Sequence, residues 1–492
     1  GALDSLTASS GNYNVALGVN AGTAITTGDN SVAIGYNALK SVTTQDEATA
    51  IGYLAGEDLA GGAFGSTAIG VRSLSNFTTG WGNTAVGHDA LWSENAAGTG
   101  SQNTAIGYQA MAWAYGGGMT GSFNVAVGSH ANSRVSSGTA NVAVGHQAQN
   151  NINSGSYNIG IGMRANQSIT TGNRNIAIGH EAMNGFDTES DNIAIGYDAL
   201  GGAIAGGEKN VAIGNYALDA LTSADGVVAI GYEAGTSLTT GSKSVYIGYE
   251  AGKDTTTASE NIGIGDQALE NNTSGSANTA VGHWALKNTD EGYGNLALGS
   301  GALKANISGQ RNVAVGGQDA LSLVTTGHHN IALGTYAGDN ITTGTGNVVI
   351  GRADVPSATA NRQLSISAGD NATPVWVTGN SVGGINSRAE IVAVTSNTTL
   401  TSEQTGAYIY WTGGTLTLPA PAFGQTMIGI QYTVINNTGG SATVAVNASN
   451  CAMIAGFTSA TNATTAIADH ELASFVCVSG SNGGLASWIQ VG

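Results

Sequence analysis

The chain has 492 residues, of which 76 are Gly and 4 are Pro, and it carries 14 Lys+Arg against 32 Asp+Glu. Charged residues make up 9% where a soluble domain has roughly 25%, yet 41% of residues are hydrophobic, so collagen and general disorder are both excluded. The net charge of −18 argues against nucleic acid or an anionic membrane as partner, and no run of about 18 apolar residues offers a membrane span.

Residues 1–10 show neither an initiator Met nor a signal peptide, and read as the lead-in of a fragment. From residue 11 the phrase Asn-Val-Ala-Ile-Gly recurs with small variations. Its Gly, taken as an anchor, falls at 20 positions that include Gly35, Gly87, Gly145, Gly196, Gly248 and Gly299. Fourteen of the 19 intervals are 17 residues long, which predicts one structural unit per period: a solenoid over 11–352. The two long intervals, 20 and 21 residues around Gly107 and Gly128, place their extra residues in a single loop.

Counting from the anchor, position −1 is Ile, Val or Leu, position −3 is Val, Ile, Thr or Leu, and Ala usually stands between them. β-Branched residues alternating at period two predict a short strand, whereas a helix would need period 3.6 and would tolerate this much Gly poorly. Ala at +3 predicts a second short strand, and stretches such as Thr26-Thr27-Gly28-Asp29 predict a turn that uses Gly for positive φ. Asn at −4, as in Asn83, Asn141 and Asn312, predicts a ladder of stacked amides. Stacked at about 4.8 Å per strand, 20 coils make a rod of roughly 95 Å. So thin a coil is expected to enclose two rows of Ile/Val, with the Ala rows allowing close approach of other chains in a homotrimer.

The unit Asn-Ser/Thr-Val-Ala-Ile-Gly-x-x-Ala resembles the head repeat of trimeric autotransporter adhesins. A variant containing Asn-Thr-Ala-Val-Gly-His-x-Ala-Leu, within Gly82 to Leu91 and Ser276 to Leu286, is similar to repeats of bacteriophage tail fibres. The resemblance covers roughly residues 11 to 352 and implies a trimeric β-roll. It implies a virion tail fibre, extracellular, joined to other tail proteins and binding a host glycan or outer-membrane protein; a bacterial surface adhesin is the alternative. The coiled-coil stalk and four-strand membrane anchor that close such adhesins are not visible in the sequence.

After Gly351 the period stops and all four prolines appear. Residues 353–390 read as a connector, and 391–492 as a small C-terminal β tip domain, a β-sandwich or jelly roll. This region has no Lys or Arg from Ile391 onward, so Tyr408, Tyr410, Trp411, Tyr432 and Trp488 are its candidate receptor-binding residues, set against a competing role in the core. Cys451 and Cys477 match no metal or redox spacing and read as small buried residues in neighbouring strands.

No catalytic or cofactor constellation stands out, and the chain reads as all-β and non-enzymatic. Rings at +1, among them Tyr36, Tyr53, His88, His180, Tyr197, Tyr232 and Tyr249, predict one stripe along the rod. Acids at +2 (Asp89, Glu181, Asp198, Glu233, Glu250) predict a varied solvent face. A glycan-hydrolysing tailspike would instead need two of them across a groove.

Overall fold

A computed structural model describes residues 12–367, apart from 45, 61–63, 94–96, 113–117, 186 and 203–205, and beyond them the backbone of the strands between 377 and 490. The chain divides into two units, Gly1–Ile385 and Asn386–Gly492.

The first unit is a parallel β-solenoid. Each coil contributes one strand ending just before the anchor, three residues long in most coils, such as Val32–Ile34, Ile193–Ile195 and Val348–Ile350. Successive strands pair in parallel and in register, for example Ile193↔Val211, Ala194↔Ala212 and Ile195↔Ile213. Like therefore stacks on like along the whole ladder. One further parallel strand, Leu364–Ile366, pairs with Val348–Ile350 inside the segment read from sequence as a connector.

The anchor glycine has two causes. Gly196 has φ +141°, in a region that L side chains rarely adopt, and a Cβ there would stand 2.6 Å from the carbonyl carbon of Gly214 in the next coil. The turn after it is not the second strand the sequence suggested. It is a run of turns with left-handed residues at +2 and +4, such as Asp198 (φ 50°) and Leu200 (φ 55°). A third left-handed residue stands at −5, as in Asp191 (φ 63°) and Lys209 (φ 59°). The Thr-Thr-Gly glycines are not among the positive-φ residues. Gly172, in Thr170-Thr171-Gly172, is instead required to lack a side chain, because a Cβ there would overlap the carbonyl oxygen of Glu189 in the next coil.

The core is the reverse of the sequence expectation. Ala at −2 and +3 points inward and is fully buried (Ala194 and Ala199 both 0% exposed), with Leu, Met or Gly at +4 beside it. The Ile and Val at −1 and −3 point outward, and Ile106 and Ile161 are about 40% exposed. The reason is steric: one short strand and a tight left-handed turn close the coil so narrowly that methyls line the strand side, and the larger side chains inside are the row at +4 and a second row at +7, such as Ile169 and Leu238.

Asn at −4 lines the inner corner, fully buried, and forms the expected ladder. Asn175 donates from its backbone N–H to Asn158 Oδ1 at 2.9 Å and from Nδ2 to the carbonyl of Glu189 at 2.8 Å, and its own Oδ1 accepts from Asn192 N–H at 3.0 Å. Each amide thus ties its strand to the loop of the following coil and satisfies buried backbone groups that the short strand leaves open.

In the second unit, strand backbones form a seven-stranded and a four-stranded sheet. Ile391–Val394 pairs in parallel with Tyr408–Trp411, which pairs in parallel with Gln431–Asn436. The strands carrying Cys451 and Cys477 are not neighbours: Ala486–Gln490 lies between them, opposite Cys451 at Ala486 and opposite Cys477 at Trp488.

Candidate functional site

The in-register stack turns every outward position into a column, and the columns are where chemistry collects. At +1 the expected stripe of rings forms. Tyr36 stacks on Tyr53 at 5.4 Å, His180 on Tyr197 at 5.2 Å and Tyr232 on Tyr249 at 5.5 Å. The Tyr232 hydroxyl is pushed up by its hydrogen bond to Glu233, and the Tyr249 hydroxyl by the charge of Glu250. Both therefore stay neutral donors at physiological pH.

The acids at +2 are not a loose solvent face. Asp89 is 1% exposed and takes a bidentate bond from Arg72, 2.7 Å from Nε and 2.7 Å from Nη2. Glu181 accepts from Arg164 at 2.7 Å, and Lys253 bridges Glu233 and Glu250, whose carboxyls it holds below the usual range. Arg72 and Arg164 lie one coil before the acid they bind, and Lys253 reaches Glu250 of its own coil and Glu233 of the one before. A glycosidase pair needs two carboxylates facing substrate across a groove, and these carboxylates face cations instead. Asp198 and Asp219 differ: they flank Gly201, where a Cβ would meet their Oδ1 atoms at 2.6 and 3.0 Å. Burial raises both, helped at Asp198 by Glu181 and at Asp219 by Asp198. Among the described residues no three His, Cys, Asp or Glu side chains converge as metal ligands.

One feature was not read from sequence. Asn132, Gln149 and Asn166 take the inward +4 place in three successive coils, fully buried, and both polar atoms of each amide lack a hydrogen-bond partner. The −4 ladder works because identical Asn side chains stack at one length; Gln149 is a methylene longer than its neighbours, which breaks that match. The signal was present as polar residues in a Leu/Met/Gly column.

Among the clefts of the described residues, two on the turn side of the coils lie clear of the −1 and −3 rows. A cleft of about 190 Å³ is lined by Trp92, Gln109, His130, Ser133, Arg134 and Asn150, beside the two coils with long intervals. A second, of about 420 Å³, shares Arg134 and continues past Asn151 and Thr170 to Asp187. Burial and the neighbouring His146 lower the His130 imidazole, so it is neutral at physiological pH.

Of the receptor-binding candidates, Tyr408, Tyr410 and Trp411 lie on one strand, Tyr432 on Gln431–Asn436 and Trp488 on Ala486–Gln490, all in the seven-stranded sheet. Their side chains lie outside the described residues. Compared with protein-family models, curated proteins and solved structures, the chain gives no match.

Proposed function

We propose that this chain is a fibre protein: its solenoid assembles as a homotrimeric shaft, and its C-terminal domain, a β-sandwich tip, attaches a bacteriophage tail to a host surface glycan or protein. The observation that carries the reading is the outward Ile/Val face. Fifteen of the 20 coils present two apolar side chains on the same side of their strand, the other five carrying Thr at −3, and a face this long exceeds by far the few hundred Å² of contiguous apolar surface that a soluble monomer leaves open. Identical faces on identical chains are covered most economically around a closed rotation axis, and a three-fold axis suits an elongated fibre. The Ala rows, which sequence suggested for this contact, are inside the coil. The small number of cations, 14 Lys+Arg in 492 residues, and the ion pairing of several of them favour uncharged recognition as the route to a receptor.

Light scattering of the purified chain tests the assembly, with a mass three times that of one chain expected; a stable folded monomer overturns it. Binding of fluorescently labelled protein to bacterial cells tests attachment, and failure to bind any of a broad panel of strains leaves the shaft role without its receptor function.

A further inference from the structure

The outward face of the coil is three columns wide, and its third column, the rings at +1, is as open as the two aliphatic rows. Parallel pairing does not stop where the short strand ends. Gly248 N–H donates to Ile230 C=O at 2.8 Å and Glu250 N–H to Tyr232 C=O at 2.9 Å, so the ladder runs on past the anchor at period two. In one coil the strand itself continues through +1, as Leu296–Ser300. Positions −3, −1 and +1 therefore lie side by side on one face. Ten of the 20 coils carry Tyr or His at +1, and Tyr232 and Tyr249 remain 41% and 49% exposed although they stack on each other.

We propose that this column is part of the contact between copies of the chain: in the homotrimer the +1 rings of one copy pack on the −3 row of the next, and the −1 row lies nearest the axis. The inference rests on the trimeric reading above and adds the pairing of columns. Rotation supplies that pairing. When parallel chains surround a rotation axis, one edge of each strip meets the opposite edge of the next, and the middle column points inward. Area supplies the need for rings. With columns about 6.6 Å wide and about 95 Å long, the two aliphatic rows offer about 1,250 Å² and all three columns about 1,900 Å². A chain with two neighbours needs roughly 800 Å² for each. The residues agree. Position −1 is aliphatic in every coil, as a row around the axis should be, whereas −3 accepts Thr in five. Four of those five coils carry Tyr53, His88, Tyr108 or His283 at +1, rings that give the hydroxyl of the facing copy a hydrogen-bond partner at the same height. Beside Tyr232 and Tyr249, Lys253 of the same chain holds Glu233 and Glu250, so no unpaired charge meets the partner there.

The test is cross-linking of the full chain by a short bismaleimide, in a Cys451→Ser, Cys477→Ser background carrying Val228→Cys, Tyr232→Cys or both. Linked dimers and trimers on a denaturing gel are expected from the double variant and from neither single one. Separately, Tyr232→Ser with Tyr249→Ser should raise at least tenfold the concentration at which the trimer dissociates in light scattering. Asn151→Asp, on the turn side, should match the unvaried chain. The serine variant keeps the test valid should the cysteine variants fold poorly. A trimer that the double variant does not link, or that Tyr232→Cys links alone, overturns the proposal and leaves the assembly standing. Unchanged dissociation of the serine variant does the same. A stable folded monomer overturns both.

Discussion

Tyr246 occupies the space that a side chain at Gly252 would need: a Cβ built at Gly252 would overlap the Tyr246 ring. Tyr246 replaces the usual Ala at −2 and is fully buried, and Gly235 and Gly252 replace the usual Leu at +4 in its own coil and the one before. One large ring thus stands in for two leucines. Gly252→Leu alone is expected to overpack the coil, and Tyr246→Ala alone to leave a cavity costing about 3–5 kcal/mol. The triple variant Tyr246→Ala, Gly235→Leu, Gly252→Leu restores the common pattern and should recover most of the loss in thermal unfolding. Additive losses in the triple variant would disprove the exchange of volume.

The amide ladder makes a second prediction. Asn175→Leu removes the acceptor for Asn192 N–H and the donor to Glu189 C=O, leaving both groups buried and unpaired. At about 1–3 kcal/mol for each orphaned group, a loss of about 2–5 kcal/mol is expected. Asn175→Ser should cost less, because Ser66 and Ser244 already fill this position and accept from Asn83 and Asn261 N–H at 3.3 and 3.2 Å. Hydrogen exchange of the two flanking strands reads the difference directly.

Gly196 and Gly226 separate the two uses of glycine. Gly196→Ala meets both a forbidden φ and a clash with Gly214, and should disrupt stacking at that point. Gly226 has φ +65° and open space around it, so Gly226→Ala should cost only about 1–2 kcal/mol, as other residues at −5 already tolerate. Circular dichroism melts of the pair check the ranking.

Gln149→Leu replaces an unpartnered buried amide by the side chain that stands at +4 in coils such as that of Leu200. Stability is expected to rise, by about 1–3 kcal/mol. A lower unfolding midpoint would show that the amide is satisfied in solution.

Near the end of the solenoid the Asp339 carboxyl is pushed up to about 6 by burial and by its hydrogen bond with Asp354. Its ordinary value is 3.8, so the folded state holds the proton more tightly than the unfolded chain. The resulting stabilisation is complete below about pH 4 and is lost as pH rises through about 6. Asp339→Asn should flatten the pH dependence of unfolding between pH 4 and 7; an unchanged slope would place the effect on other acids.

The solenoid was legible because its rule is one-dimensional: the Gly anchor, the Asn at −4 and the alternating −3/−1 positions repeat often enough to outweigh local ambiguity. Which side of the strand faced inward was not legible. Period two defines two faces without saying which is core, and Ile against Ala suggests the wrong one unless the width of the coil is known. The +3 segment was misread for a related reason. Leu200 and Asp198 carry no sequence mark of left-handed φ, which the stack imposes against local preference. Rings at +1 stacked as expected, whereas Asp89 became buried because Arg72 sits one coil away, a pairing visible only once the period is used as a ruler.

The in-register pairing has a consequence for how the chain reaches this state. Ile176 meets Ile193 and Thr104 meets Val125, so the parallel ladder partners of the solenoid lie 16 to 21 positions apart in a chain of 492. The sequence separation of contacts, relative to chain length, is then below the roughly 0.07–0.12 of helical bundles, despite an all-β fold. A coil that has formed offers the next stretch of chain a ready edge, and growth proceeds by short loop closures instead of distant searches. A solenoid built this way can lengthen by whole periods without slowing its own folding.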